Sequence, residues 1–154
     1  MTSRTILGSF AFSSLAITGL MTGIMPAAAD GTMSMTLVER ATTDAVVDTG
    51  AKDDSAGDIL TFANEIYDEA NATKVGDDNG WCIRIVPAKA WECVATMSLA
   101  EGQITVEGPF LDGKDSAWAV TGGTGKYMAT RGEMQLHARN PAGSEYDFKF
   151  KLTE

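Results

Sequence analysis

Short segments in which apolar and polar residues alternate fill most of the chain after Met33, and this period of two constrains the fold more than any other feature. The clearest segment is "EYDFKFKL" at residues 145–152, where aromatic and leucine side chains share one face and Asp and Lys side chains the other. Successive side chains of a β-strand point to opposite faces, so the pattern predicts strands with one buried face. The sequence therefore predicts an all-β domain.

Seven further segments show the same alternation: "MSMTLVERA", "DILTFAN", "WCIRIV", "WECVATMSL", "GQITVEG", "SAWAVTG" and "GEMQLHAR". About eight short strands with tight turns between them predict a sandwich or a barrel. A barrel of that strand number is just wide enough to hold one small ligand. Segments 42–57 and 64–80 are rich in Asp, Asn, Thr and Gly, and we interpret them as loops or irregular strand extensions.

Residues 1–29 are interpreted as a signal peptide that is cleaved after Ala29. Arg4 is the only charge before Asp30, the stretch between them is apolar or small, and it ends in the small residues of "PAAA". A retained membrane anchor is the alternative, but Ser, Thr and Gly residues interrupt the apolar stretch. We expect one domain over residues 30–154 that is secreted or periplasmic and has no membrane contact after cleavage.

The chain is acidic, with 21 Asp and Glu residues against 12 Lys and Arg residues and a formal net charge of −9 at pH 7. Such a charge repels phosphate backbones and anionic lipid headgroups. We therefore expect neither a nucleic-acid partner nor peripheral binding to a membrane.

The chain has two cysteines, Cys82 and Cys93, and they lie symmetrically about Pro87 and Ala88. A hairpin that turns there would place them opposite each other on neighbouring strands. Oxidising conditions outside the cytoplasm favour a disulfide between them. Two free thiols are the alternative, because directly opposed strand positions only sometimes satisfy disulfide geometry.

Glu39 is the first candidate for chemistry, because strand alternation groups it with Met35 and Leu37 on the apolar face. A carboxylate that faces inward loses hydration, which raises its pKa and suits it to act as a general acid or base. The alternative is a glutamate at a strand end that reaches solvent or pairs with Arg40 or Arg84.

Asn64 follows the same logic, because it shares a face with Leu60 and Phe62. An amide inside an apolar cavity could orient an oxygen of a substrate. The alternative is that Asn64 lies past the end of the strand and caps a turn, which is a common role of asparagine.

In "GWCIRIV" the more hydrophobic face carries Trp81, Ile83 and Ile85, which leaves Cys82 and Arg84 on the other face. Periodicity alone does not decide which face points into the domain. An apolar row outside the domain is often a subunit interface, and we expect a homotrimer that uses it. If the chain is a monomer, the row belongs inside and Cys82 points outward.

The glycine-rich segment "GGTGKYMATRG", residues 122–132, does not match a phosphate-binding loop. Lys126 is followed by Tyr127 rather than Ser or Thr, and the next residues alternate like a strand instead of opening a helix. The single histidine, His137, falls on the polar face of its strand. Because it has no second histidine at ligand spacing, we expect no metal site and no cofactor.

Taken together, the strands and glycines resemble the allene oxide cyclase and dirigent superfamily over most of residues 58–152. The matching stretches are "GDILTFANEIYD", "KVGDDNGWCIRI", "GQITVEGPF", "WAVTGGTGKYMATRGEMQL" and "YDFKFKL". The resemblance implies an eight-stranded antiparallel, lipocalin-like barrel with a hydrophobic cavity, commonly assembled as a trimer. It also implies that the glycine-rich segment is a turn between strands, with Arg131 and Gly132 beginning the second strand.

The resemblance places the cyclase glutamate on Glu39, the water-holding asparagine on Asn64 and the cavity cysteine on Cys82. Phe62 and Phe110 are expected to contact the substrate. Plant cyclases have Tyr where this chain has Phe110, so the hydroxyl is missing and the plant substrate, a fatty-acid epoxide, does not carry over.

Three functions remain open from the sequence. The first is an exported barrel that binds a small hydrophobic molecule and catalyses its stereoselective cyclisation or isomerisation. The second is a binding protein or dirigent-type guide that makes no bond itself. The third is a barrel that is filled by its own side chains. Fold alone does not separate them.

Overall fold

The structure, a computed structural model, describes residues 31–153, and the predicted signal peptide lies outside them. Strands make up most of this part of the chain, with one short 3₁₀-helix at Gly125–Tyr127. The strands are β1 Thr32–Arg40, β2 Ala45–Val47, β3 Ile59–Tyr67, β4 Lys74–Val86, β5 Ala90–Leu99, β6 Gly102–Leu111, β7 Ser116–Gly123, β8 Arg131–Ala138 and β9 Glu145–Thr153. None of the helical structure in residues 31–153 is long and apolar enough to cross a membrane.

The sheet closes on itself because β1 pairs with β9 on one side and with β3 on the other. From β3 to β9 each strand is antiparallel to the next in chain order. β2 is not part of the closed ring, since it only lies beside the start of β3, where Ala45 faces Thr61 and Val47 faces Ile59. The prediction of an eight-stranded antiparallel barrel is confirmed.

Segments 42–57 and 64–80 are more regular than their composition indicated. The first contains β2, while the second is strand except for the turn between β3 and β4. Glycine and aspartate suggested a loop there, but Gly80 serves packing within β4. A Cβ at this position would lie 2.5 Å from the ring of Phe62, which covers the glycine from the paired strand.

The inward side chains divide the barrel into a filled lower half and an upper half with a cavity. The lower end carries the turns at 68–73, 100–101 and 124–130, and the upper end carries those at 87–89, 112–115 and 139–144. The fully buried side chains of the lower half include Met97, Ile104, Val106, Met134, Phe150 and Leu152. Burying each such side chain contributes about 1.5–3 kcal/mol, so this half stabilises the fold while the upper half stays open.

The glycine-rich segment is a turn between strands, as the resemblance implied. Gly125 has φ +58°, which favours glycine over other residues, and it begins the 3₁₀-helix. Tyr127 at the end of that helix is buried and covers the lower end of the core. β8 then begins at Arg131, and Gly132 has φ +142°.

Cys82 and Cys93 face each other across β4 and β5 and form a disulfide, which confirms the predicted bridge. Both cysteines are buried and point into the barrel. The outward face of β4 therefore carries the apolar row, where Trp81 is 45% and Ile85 is 54% exposed. Cys82 has no free thiolate, and its contribution to the cavity is a wall rather than a nucleophile.

We expect reduction of the Cys82–Cys93 bridge to lower the free energy of unfolding by about 2–3 kcal/mol, because the bridge closes a short loop in the unfolded chain. Urea unfolding with and without reductant measures the change. The double variant Cys82→Ala/Cys93→Ala is the control, since reductant should not alter its midpoint. Equal midpoints for the oxidised and reduced protein would contradict a stabilising role.

Candidate active site

A cavity of about 100 Å³ lies in the upper half of the barrel. Its wall is mostly apolar and aromatic, with carboxylates at one corner. The lining residues are Glu39, Asp44, Leu60, Phe62, Cys82, Cys93, Ala95, Phe110, Trp118, Leu136, Tyr146 and Phe148. Four of the five predicted site residues, Glu39, Phe62, Cys82 and Phe110, are among them, and the fifth, Asn64, lies directly behind the wall.

Glu39 and Asn64 meet at the polar corner of the cavity. The side-chain amide of Asn64 donates to Glu39 Oε1 over 2.8 Å, and both residues are buried. Strand alternation explains the meeting, because β1 and β3 are paired where each directs these side chains inward. Glu39 pairs with neither Arg40 nor Arg84, which bind Asn71 and Asp112 instead.

Asn64 also holds the chain that follows β1. Its Oδ1 accepts hydrogen bonds from the backbone N–H groups of Thr42 and Thr43 and from the Thr43 hydroxyl, each over 3.0 Å. Its second amide hydrogen is donated to Asp44 Oδ1 over 2.8 Å. Every hydrogen-bonding position of the amide is thus occupied, so the side chain is fixed in orientation. Asn64 acts both inside the barrel and as an anchor for a loop.

Asp78 is a buried member of the corner that the sequence did not indicate. Its Oδ1 accepts from the backbone N–H of Asn64 over 3.2 Å, and its carboxyl group lies close enough to that of Glu39 for the two to interact electrostatically. Segment 64–80 was interpreted as irregular, which hid the alternation that places Asp78 on the same face as Cys82 and Arg84. Asp44 gave no sequence signal, because it reaches the corner through the folding of a loop.

Two neighbouring carboxyl groups in an apolar barrel do not both ionise easily. Burial raises the pKa of Glu39 well above its ordinary value, and the nearby charge of Asp78 raises it further. Burial also raises the pKa of Asp78, to about 7, while its hydrogen bond with Glu39 works in the opposite direction. Both members of the pair therefore hold a proton to a higher pH than exposed carboxyl groups do.

The atomic contacts agree with a proton on this pair. Asp78 Oδ2 is buried and has no donor from any ordinary N–H or O–H group in residues 31–153. A buried acceptor without a partner costs about 1–3 kcal/mol, and more when it is charged. A proton held between the two carboxyl groups would supply a donor for this oxygen.

Aromatic rings form the remaining wall and the entrance. Phe110 and Tyr146 meet edge to face, with ring centroids 5.9 Å apart. Trp118 is fixed by its indole N–H, which donates to the carbonyl of Pro109 over 2.8 Å. The Tyr146 hydroxyl was not predicted, although its strand alternation placed it inward. Burial raises the pKa of Tyr146, so its hydroxyl stays protonated.

Phe110 and Tyr146 also line an open groove of about 580 Å³ on the upper end of the barrel. The groove lies between the turns at 112–115 and 139–144, and its rim is polar. The two rings thus stand between the groove and the inner cavity. A ligand that enters from this end passes them before it meets Glu39.

His137 is exposed and its Nδ1 lies 2.7 Å from Asp115 Oδ1, outside the cavity. Within residues 31–153 there is no group of three His, Cys, Asp or Glu residues that could hold a metal ion. Arg84 is buried beside the cavity, where it lies 2.7 Å from Asp112 and packs 4.0 Å from the ring centre of Trp91.

The fold and this corner define a class of protein: a closed antiparallel barrel whose aromatic cavity carries a buried acid. The allene oxide cyclase family model matches residues 34–150, and the chain belongs to that family. Because the match spans the site residues from Glu39 to Tyr146, it includes both walls of the cavity.

Solved structures with the same fold include a pyocyanin demethylase, at 25% identity and a TM-score of 0.66, covering 77% of this chain and 99% of that one. A pterocarpan synthase dirigent protein has 12% identity and a TM-score of 0.67, with 90% of this chain and 99% of that chain covered. A Diels-Alderase from Streptomyces koyangensis has 16% identity and a TM-score of 0.63, with coverages of 81% and 69%. At these identities the last two show the shared fold alone.

The carboxyl pair makes the stability of this protein depend on pH. A raised pKa contributes stability that is complete below the ordinary value near 4 and is lost as pH rises through the folded value, about 7 for Asp78. We expect the free energy of unfolding to fall by about 2–3 kcal/mol between about pH 5 and about pH 8. Chemical denaturation at each pH measures this change.

The variant Glu39→Gln/Asp78→Asn should lose this dependence, because neither amide titrates. Asp77→Asn is the matched control. Asp77 is exposed on the opposite face of β4, and its replacement also removes a negative charge. If the double variant and the control show the same slope as the unmodified protein, the buried pair does not titrate as described.

Proposed function

We propose that this protein binds a small apolar molecule in the barrel cavity and catalyses its stereoselective cyclisation or isomerisation, with Glu39 as the acid. The observation that carries the proposal is the buried carboxyl group of Glu39, which lines an aromatic cavity. The names of the structural relatives describe a demethylase, a pterocarpan synthase and a Diels-Alderase, all of which concern small organic molecules.

The residues of the site have different roles in the proposed reaction. Glu39 donates its proton to an oxygen or nitrogen of the ligand, which draws electrons toward that atom and leaves positive charge on the carbon skeleton. The faces of Phe62, Trp118 and Phe148 stabilise this charge through their π-electrons. When the ligand is an epoxide, the carbon–oxygen bond breaks as the oxygen takes the proton, a π-electron pair of the ligand forms the new carbon–carbon bond, and the hydroxyl proton of the cyclised product returns to Glu39. No atom is gained or lost, so the reaction needs no co-reactant.

The walls supply the stereochemistry. The inner cavity is small, and the disulfide together with the indole of Trp118 makes one side of it rigid. A flexible ligand can enter in few conformations. Holding its reacting atoms close together lowers the entropy cost of reaching the transition state. The longer part of such a ligand lies in the outer groove beyond Phe110 and Tyr146.

The experiment is turnover of a panel of epoxides and conjugated polyenes, with product structure and enantiomeric excess measured by chiral chromatography. We expect Glu39→Gln to lower kcat roughly 100-fold or more, because the amide does not donate a proton to the reacting atom. Glu133→Gln on the outer face of β8 is the control. Binding without turnover would contradict catalysis and favour a dirigent-type guide protein. Absence of binding would favour a barrel that is filled by its own side chains.

We also propose that the chain forms a homotrimer through the outward face of β4. Trp81, Ile85 and Val86 are exposed there, and apolar rows of this kind are commonly covered by a second subunit. Export of the chain stays a prediction of the sequence, with which a disulfide agrees.

Light scattering at high protein concentration should give about three times the mass of one chain. The variant Trp81→Glu/Ile85→Glu should give a monomer, because it places two charges in the contact. Met128→Glu is the control, since Met128 is 74% exposed in the turn before β8. A monomeric mass for the unmodified protein would end the proposal.

A further inference from the structure

The cavity lies against a part of the sheet whose inward side chains are small. These residues, the small-residue wall, are Gly80 and Cys82 on β4, Cys93 and Ala95 on β5, and Gly108 on β6. Cys82 pairs with Cys93, and Cys93 pairs with Gly108. Gly80 pairs with Ala95 in the next row of the sheet. Two rows of small residues therefore run side by side across these strands.

An aromatic ring from a neighbouring strand covers each glycine of the small-residue wall. Phe62 on β3 pairs with Gly80, and a Cβ added to Gly80 would lie 2.5 Å from the Phe62 ring. Trp118 on β7 covers Gly108, where an added Cβ would lie 3.0 Å from Cδ1 and 3.1 Å from Cγ of the indole. Glycine inside a strand often marks such a close approach. The two rings thus lie against the sheet instead of across the lumen of the barrel.

Trp118 is held in this position by a hydrogen bond. Its indole N–H donates over 2.8 Å to the carbonyl of Pro109, the residue after Gly108. Trp118 is buried, and loss of this bond would leave a buried donor without a partner. The free space beside the ring is the cavity that it lines. A side chain at position 108 would therefore displace the ring into the cavity and reduce the space for a ligand.

We infer that Gly80 and Gly108 determine the size of the ligand, because they allow the rings of Phe62 and Trp118 to lie against the sheet. The cavity that remains has a volume of about 100 Å³. An apolar cavity of about 150 Å³ binds one benzene molecule. The inner cavity therefore accepts a single six-membered ring or a short branched chain end, and it excludes fused rings. The inference rests on the proposed function and names its substrate class: elongated molecules with one such end, whose remainder lies in the outer groove.

Toluene is the probe with one ring, and naphthalene is the probe with two fused rings. Titration calorimetry measures the dissociation constant of each. The unmodified protein should bind toluene and not naphthalene, and nuclear Overhauser contacts from toluene to Ala95 should place it in the inner cavity. Naphthalene that binds in the inner cavity as tightly as toluene would overturn the inference.

Gly108 is the position for the first variant, because a Cβ at Gly80 would also meet the backbone carbonyl of Val94. Gly108→Ala should weaken toluene binding about tenfold, because the displaced indole overpacks the cavity. Gly122→Ala is the matched control: it adds the same methyl group to β7, where no atom of residues 31–153 beyond its chain neighbours lies within 4 Å of the added Cβ. It should leave toluene binding unchanged. Equal affinities of the two variants would overturn the inference.

Trp118→Phe changes the size of the cavity in the opposite direction. This variant should bind naphthalene about tenfold or more tightly than the unmodified protein does, because the smaller ring enlarges the cavity. The combined variant Gly108→Ala/Trp118→Phe should recover toluene binding, because the smaller ring leaves room for the methyl group. If Gly108→Ala weakens toluene binding equally with either aromatic residue, its effect is a general structural one and the inference is wrong.

Turnover of the epoxide and polyene panel separates this inference from the proposed catalysis. Size-selective binding without turnover would overturn the catalysis and leave the inference standing. Turnover of the same range of substrates by the unmodified protein, Gly108→Ala and Trp118→Phe would overturn the inference and leave the catalysis standing.

Discussion

The barrel closes along a short ladder in which Val38, Glu39 and Arg40 of β1 pair with β3. Side chains on both faces of the sheet reinforce this seam. On the inside, Asn64 donates to Glu39, and on the outside Arg40 donates to Asn71 in the turn after β3. Hydrogen bonds to buried or charged groups are stronger than ordinary ones, so the few residues here hold an edge that backbone pairing alone would leave weak. Two of the residues that close the barrel, Glu39 and Asn64, are thus also residues of the candidate site.

This double use explains why a carboxyl pair persists in an apolar interior. The raised pKa values of Glu39 and Asp78 report that their charged forms are unfavourable inside the barrel. Replacing buried charged groups by apolar residues of similar size is often neutral or stabilising for a protein. Asn64 can bridge β1, β3 and the loop at Asp44 only because carboxylates accept its amide hydrogens. Polar groups that cost stability are typical of functional sites, where one local rule is broken for a purpose.

The period of two predicted the strands and placed Glu39 on an apolar face, the hairpin about Pro87 and Ala88 predicted the facing cysteines, and the resemblance to the allene oxide cyclase and dirigent superfamily implied the closed barrel. The sequence did not indicate Asp78, because aspartate and glycine in "KVGDDNG" are typical of loops. In the structure Gly80 lies within β4, and a glycine is needed there because the ring of Phe62 packs over it. Asp44 could not be found from local pattern, since its contact with Asn64 spans 20 residues and depends on how the loop folds back. Alternation identifies faces of strands, but not which loop residues reach them.

Tyr146 supplies a hydroxyl group in the cavity wall, whereas the resemblance places the tyrosine of plant cyclases on Phe110. Phe110 lacks the hydroxyl of the plant tyrosine, but Tyr146 packs edge to face against it and lies opposite Glu39 in the pairing of β1 with β9. Burial raises the pKa of Tyr146, so its hydroxyl stays protonated and the cavity wall carries a hydroxyl donor in addition to the carboxyl group of Glu39. Under the proposed function, these polar groups, rather than the apolar outline of the cavity, select which atom of a ligand reacts.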